Sequence, residues 1–291
     1  VAITGASGLV GTALRRHLEA AGHTVRPLVR RDPRDGEIRW DPAGGVLDPA
    51  DLSGVDAVIH LAGESIASRW DDAKKQRIRD SRVHGTRLIA EAVAAAENGP
   101  RTLISASAVG IYGNPSEVVN EHVGPGDGFL AEVGVAWEAA AEPARAAGVR
   151  VVHPRIGIVL APDGGALEPM LPAFRLGLGG PIGAGTQGFA WVHLDDVVRI
   201  LTFLLDSDLD GPVNTVGPEP LDQRTFATTL GRVLGRPAFV PLPGVAVRLA
   251  MGEMGEALLL GGQRVEPTRL RAAGFSWTHP TLEDALRDLL N

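Results

Sequence analysis

The apolar positions change period along the chain. Residues 1–4 (Val-Ala-Ile-Thr) make a short unbroken apolar run, the mark of a buried strand. Leu9, Val10, Ala13, Leu14 and Leu18 then recur at helical spacing, which predicts a helix over 9–21 capped by Gly22. Strands are expected at 24–29, 57–61, 102–105 and 149–153, with helical patterns at 70–96 and 131–147 between them. Such alternation implies a parallel sheet with helices on both faces. After residue 160 the rhythm breaks, and 161–190 is rich in Gly and Pro. A short strand at 191–193, a helix at 195–205 and a strand at 213–216 follow. The tail 222–291 reads as mostly helical and ends in an amphipathic helix at 281–290. Thr281 with Asp284 three residues on resembles a capping box, with Asp in place of Glu. The expected architecture is α/β. A large doubly wound domain spans 1–160 plus 191–216. A smaller, discontinuous C-terminal α+β substrate domain spans 161–190 plus 217–291.

Composition narrows the chemistry. A chain of 291 residues buries enough surface to need no disulfide or metal staple. It has no cysteine, which excludes a disulfide framework, a thiolate zinc site, an iron–sulfur cluster and a cysteine nucleophile. The net charge of −7 offers no global basic field to nucleic acid. The run 69–87 holds seven basic and three acidic residues but few aromatics, so it reads as a solvated helix face. No apolar run reaches the ~18 residues of a membrane span, and no signal-peptide pattern appears, so a cytoplasmic location is expected. The eight histidines are scattered without metal-ligand spacing, and no metal is expected. Only one tyrosine, Tyr112, and two lysines, Lys74 and Lys75, are present.

The sharpest local signal is Thr4-Gly5-Ala6-Ser7-Gly8-Leu9-Val10-Gly11, between a strand and a helix. Glycines there permit a tight turn and close approach to a pyrophosphate, and the helix N-terminus offers it free N–H groups. Gly5, Ser7, Gly8, Leu9 and Val10 are the expected contacts. A site for NAD wants an acid at the end of the second strand to hold the ribose 2′-OH. This chain has Val29, Arg30 and Arg31 there, and arginine forks suit a 2′-phosphate. The reading is a Rossmann fold binding NADP(H). The other reading of the two arginines is simple solvation. Leu61, Ala62, Gly63 and Glu64 follow a strand, at the sheet edge where such ligands bind.

With these runs in view, and with Ser105-Ala106-Ser107 leading to Tyr112-Gly113, the chain resembles the extended short-chain dehydrogenase/reductases. A narrower resemblance, to epimerase family proteins with a C-terminal DUF1731 segment, rests on several runs. They are His60-Leu61-Ala62-Gly63-Glu64, Ser81-Arg82, Trp137-Glu138, Arg155-Ile156-Gly157, Trp191-Val192-His193-Leu194-Asp195-Asp196, Gly235-Arg236-Pro237 and Gly274-Phe275. It implies an NADP-type cofactor and adds Arg82, Ser107 and Pro154 to the expected cofactor contacts. It also exposes a departure. The superfamily's Tyr-x-x-x-Lys pair, which moves the proton, falls on Leu130 and Gly134.

The remaining candidates for catalysis are weak. Ser107 and Tyr112 are expected at a strand end facing the crevice, but an unassisted phenol has a pKa of about 10. His193 is a second possible donor, with Asp195 expected as an N-cap or first-turn acid of the helix that follows. Arg175 and Gln187 are substrate contacts by position only. Three functions compete: an NADP(H)-dependent oxidoreductase on a small carbonyl or hydroxyl substrate, a non-catalytic NADP(H)-binding regulatory protein, and a sugar-nucleotide epimerase. By analogy with the superfamily, a homodimer would pair the helices at 70–96 and 131–147.

Overall fold

The structure, a computed structural model, describes residues 1–290. In chain order the elements begin β1 (Ala2–Thr4), α1 (Leu9–Ala20), β2 (Arg26–Val29), β3 (Ile38–Arg39), β4 (Ala57–His60), α2 (Asp72–Ala95), β5 (Thr102–Ser105), β6 (Ser107–Ala108) and β7 (Val118–Val119). They continue with α3 (Phe129–Ala139), α4 (Glu142–Ala146), β8 (Arg150–Ile156), β9 (Ile158–Leu160), α5 (Leu171–Arg175), β10 (Trp191–His193), α6 (Leu194–Asp206) and β11 (Gly211–Thr215). The tail holds α7 (Gln223–Val233), α8 (Gly244–Gly255), β12 (Arg264–Val265), α9 (Thr268–Ala272) and α10 (Leu282–Leu290).

The main sheet runs β11-β8-β5-β4-β1-β2-β3, with β6 continuing beside β8, and every pair is parallel. Its inner strands are buried along their whole length, which is why the sequence shows unbroken apolar runs there rather than alternation. One face packs Val58, Leu103 and Val151 against Ile89 and Val93 of α2 and Ala144 of α4. The other packs Ile3, Ile59, Ile104 and Val152 against Leu14 of α1, Leu201 of α6, and Leu270 and Phe275 from the tail. A further cluster joins Phe174, Phe189 and Trp191 to Phe226 and Leu230 of α7 and Leu286 of α10. Segment 161–190 thus shares its core with the tail.

Three local expectations change. The helix read over 131–147 is two helices, because Pro143 lacks the N–H that would continue α3 and instead starts α4. The strand read at 149–153 runs on to Ile156. Pro154 fits inside it because β5 pairs β8 only as far as Val152 and β6 resumes at Arg155, so no ladder bond is asked of its nitrogen. Of the two roles open to Asp195, the structure shows the first-turn acid: His193 is the N-cap of α6, its Nδ1 accepting the Asp195 N–H at 3.0 Å. At the last helix half of the expected box forms: Asp284 N–H donates to Thr281 Oγ1 at 3.2 Å, and the Asp284 carboxylate accepts the Thr281 hydroxyl at 2.7 Å.

Candidate functional site

The strand order reverses at β1, with β2 and β3 on one side and β4, β5, β8 and β11 on the other. Connections leaving β1 and β4 therefore diverge to opposite faces and open a crevice at their C-terminal ends. A cavity of about 940 Å³ fills it.

Two glycines shape its floor. Gly5 adopts φ +68°, and a Cβ on it would sit 3.0 Å from the Ala62 nitrogen. A Cβ on Gly11 would lie 2.1 Å from the Gly5 carbonyl oxygen, so only glycine lets α1 pack under the turn. Gly8 caps α1 without a side-chain bond, leaving first-turn N–H groups free at the positive end of the helix dipole. The opposite wall is fixed by Thr4. Its Oγ1 accepts N–H bonds from Leu61 (3.1 Å) and Ala62 (3.2 Å), so its own hydrogen goes to His60 Nδ1 at 2.7 Å. His60 is fully buried, and that burial, helped by the charge of Arg82, pushes its pKa down to about 4.

At the β2 end, Arg31 is already engaged. Its fork grips Glu37, with Nη1 2.7 Å from Oε2, and that grip pulls the Glu37 carboxyl down to about 2. Arg30 makes no side-chain hydrogen bond or ion pair among the described residues, nor does Arg16, which faces the same cavity from α1. Trp40 and Pro42 complete this end.

Of the expected cofactor contacts, Gly5, Ser7, Gly8, Val29, Arg30, Arg31, Leu61, Ala62, Gly63 and Glu64 line the cavity. Leu9 lines a second hollow of about 340 Å³ that adjoins the first, sharing Arg16 with it and formed with Asp163 and Leu194. Four expected contacts line neither cavity. Val10 turns its side chain into the sheet core. Pro154 sits within β8. Arg82 stands behind Gly63, bonded to the carbonyls of Glu64 and Ile78. Ser107 is buried and donates to Glu138 Oε1 at 2.7 Å. Arg16 and Trp40 escaped the sequence reading. Gly8, Thr12 and Arg16 recur every four residues on α1, a signal that was there to be read. Trp40 follows a two-residue strand too short to show a period.

The Lys position of the superfamily's Tyr–Lys pair is closed by packing, while Leu130 at the Tyr position is half-buried. A Cβ on Gly134 would lie 2.9 Å from Ile111 Cβ, so α3 rests directly on the 109–112 turn and no lysine fits. Tyr112 does not face the crevice, contrary to expectation. Its buried hydroxyl accepts from Arg155 Nη1 (2.9 Å) and donates to Asn214 Oδ1 (2.8 Å), and burial pushes the phenol pKa up. Against the upward push of burial, the Arg155 fork holds the Glu138 carboxyl below its usual range. His193 lines neither cavity. With Nδ1 capping α6, its proton sits on Nε2, 3.2 Å from Asp288 Oδ2 of α10, and its ring lies 3.8 Å from that of His279. His193, His279 and Asp288 bring their ligand-type atoms within 4.8 Å of one another, a grouping that sequence spacing did not reveal. The capped tautomer leaves Nε2 protonated, with no lone pair to give a metal, and beside Asp288 without a hydrogen bond to it. Gln187 ties Ile182 to Leu259 through their carbonyls. Arg175 is exposed at the end of α5.

Comparison with known proteins places this geometry. Residues 1–217 match the model of the NAD dependent epimerase/dehydratase family, and residues 242–289 match a domain of unknown function, DUF1731. An epimerase family protein of Mycobacterium bovis, Mb2239, is 48% identical over 98% of this chain and 96% of its own. Human epimerase family protein SDR39U1 is 38% identical over all of this chain and 99% of its own. A crystal structure of human SDR39U1 (isoform 2) with NADPH superposes with a TM-score of 0.89 at 36% identity, covering 99% of this chain and 98% of that one. This chain therefore belongs to the NAD dependent epimerase/dehydratase family, among the epimerase family proteins that carry a DUF1731 segment.

Proposed function

We propose that the chain binds NADP(H) in the 940 Å³ cavity and works as an oxidoreductase on a small carbonyl or hydroxyl compound. The observation that carries this reading is Arg30, a guanidinium with no protein partner, at the end of β2 where an NAD site would carry an acid. Arg16 lines the same cavity. The volume suits the upper end of ligand sites, roughly 300–1,000 Å³, and the human relative crystallised with NADPH supports the choice of cofactor.

When bound, the reduced nicotinamide supplies a hydride. The chain's own part is binding and placement. The α1 N-terminus would take the pyrophosphate, Arg30 and Arg16 the 2′-phosphate, and the Leu61–Gly63 backbone, fixed by Thr4, would hold the ribose side. Hydride transfer depends on such positioning more than on an acid. The proton then comes from water, since Ser107, Tyr112 and His193 are all committed to structural bonds.

Calorimetric titration with NADPH and NADH tests the reading. The wild type is expected to prefer NADPH, and Arg30→Ala to lose about 1.5–3 kcal/mol of NADPH binding with NADH affinity unchanged. An unaltered NADPH/NADH ratio in that variant would refute the assignment. A second reading, a non-catalytic NADP(H) binder, is favoured by the packing of Gly134 on Ile111. Stoichiometric oxidation of NADPH by any member of a carbonyl panel would exclude it. Sugar-nucleotide epimerisation ranks third, because its keto intermediate needs a residue that cycles a proton.

A further inference from the structure

Of the eleven large apolar side chains left exposed among the described residues, seven fall in two short segments, 176–178 and 239–249. Leu176 and Leu178 follow α5, and Phe239, Val240 and Leu242 lie on the extended stretch before α8. Val245 and Leu249, four residues apart on α8, share a face of that helix. Backbone bonds join the segments. The Val240 N–H donates to the Gly179 carbonyl (3.1 Å), and the Leu242 N–H to that of Pro181 (2.9 Å). Phe239 is 75% exposed and Leu249 77%. Together the seven expose on the order of 700 Å², more than the ~300–600 Å² of the largest patch on a typical monomer. From Pro237 to Val247 no side chain is polar, and none of these residues lines either cavity. Pro241 and Pro243, which alternate with Val240 and Leu242, have no N–H to offer another strand. The outer edge is thus closed to strand addition and open to side-chain packing.

We infer that this face, built by the end of α5, the 237–243 stretch and α8, docks a second copy of the chain. The area decides the occupant first: it approaches the ~800 Å² that each partner contributes to a standard interface. The chemistry agrees, because homodimer interfaces are more apolar at their centre than transient ones and are depleted of charge there. The helices expected to pair by analogy with the superfamily are less suited. α2 exposes Arg77, Arg79 and Arg87, and Val135 is the one large apolar side chain exposed on α3. Pairing two copies of α2 would bring like charges together, which opposes association. A lipid surface fits less well. The exposed cations beside the patch in sequence are Arg175, Arg236 and Arg248, the last paired with Glu256. They are too few to carry a chain of net charge −7 onto an anionic membrane.

The test is sedimentation velocity of the full chain at micromolar concentration. The wild type is expected to run as a dimer. Phe239→Glu combined with Leu249→Glu changes only exposed positions, and should give a monomer with the circular dichroism of the wild type. Val245→Arg, a single change on the same face, should weaken the dimer at least tenfold and serves if the double variant does not fold. Arg79→Glu combined with Arg87→Glu should leave the dimer intact. A monomeric wild type refutes the interface, and if that monomer sediments with phosphatidylserine vesicles the patch belongs to lipid instead. A dimer that survives both changes to the patch, or that is lost in the α2 variant, also refutes it by placing the contact elsewhere.

Discussion

Gly134 has Ile111 where a side chain of its own would go. Putting a methyl there should overpack α3 against the 109–112 turn, so Gly134→Ala is expected to lower stability by about 1–3 kcal/mol in denaturant unfolding. Restoring the superfamily pair with Leu130→Tyr and Gly134→Lys should fare worse, since lysine brings the same Cβ and a longer stem. Tyr112 offers the complementary test. Tyr112→Phe strands Arg155 Nη1 and Asn214 Oδ1 inside the core, and is expected to cost about 1–3 kcal/mol with NADPH affinity unchanged. A loss of NADPH binding at unchanged stability would contradict this structural role. Arg30 and the glycine turn were legible because their signal is local: a charge at a strand end, and spacing within eight residues. The engagement of Ser107 and Tyr112 was not, because their partners Glu138 and Asn214 lie 31 and 102 residues away.

At the scale of elements, the strands of the inner sheet were readable from apolar runs, whereas β3, β6, β7 and β12 have two residues each, too few for any period to emerge. The start of α6 shows how tertiary context decides a cap. Asp195 has the residue type expected at an N-cap, yet the chain leaves β10 in extended conformation at His193, and the imidazole takes the role. His193→Ala is therefore expected to destabilise the protein by about 1 kcal/mol, the usual value of an N-cap, and Asp195→Ala by clearly less. Equal losses in urea unfolding would return the cap to Asp195. Among the described residues no helix is long and apolar enough to cross a membrane.

For the whole molecule, the buried imidazoles set an acid limit. Burial lowers the pKa of His60, His153 and His193 in the folded state, so all three fold neutral. Above the ordinary value of 6.5 the folded and unfolded chains are alike, and this contribution is complete. As pH falls below 6.5 the unfolded chain takes up protons first, and stability declines until His60 itself titrates near 4. His60 alone accounts for about 3 kcal/mol of that loss. Urea midpoints measured from neutral pH down to about 4 should fall steadily, and His60→Gln should flatten the slope. The tail gives the molecule a further property. Leu270 and Phe275 return to cover Ile104 and Val152 on the main sheet, and the Trp277 indole donates to the Val216 carbonyl at 2.9 Å. A chain ending at residue 217 should therefore bind hydrophobic dyes and aggregate, although it contains every β-strand of the main sheet. The two matched regions are then not exchangeable modules but one inheritance: a lineage cannot trade its DUF1731 segment for another without rebuilding the sheet beneath it.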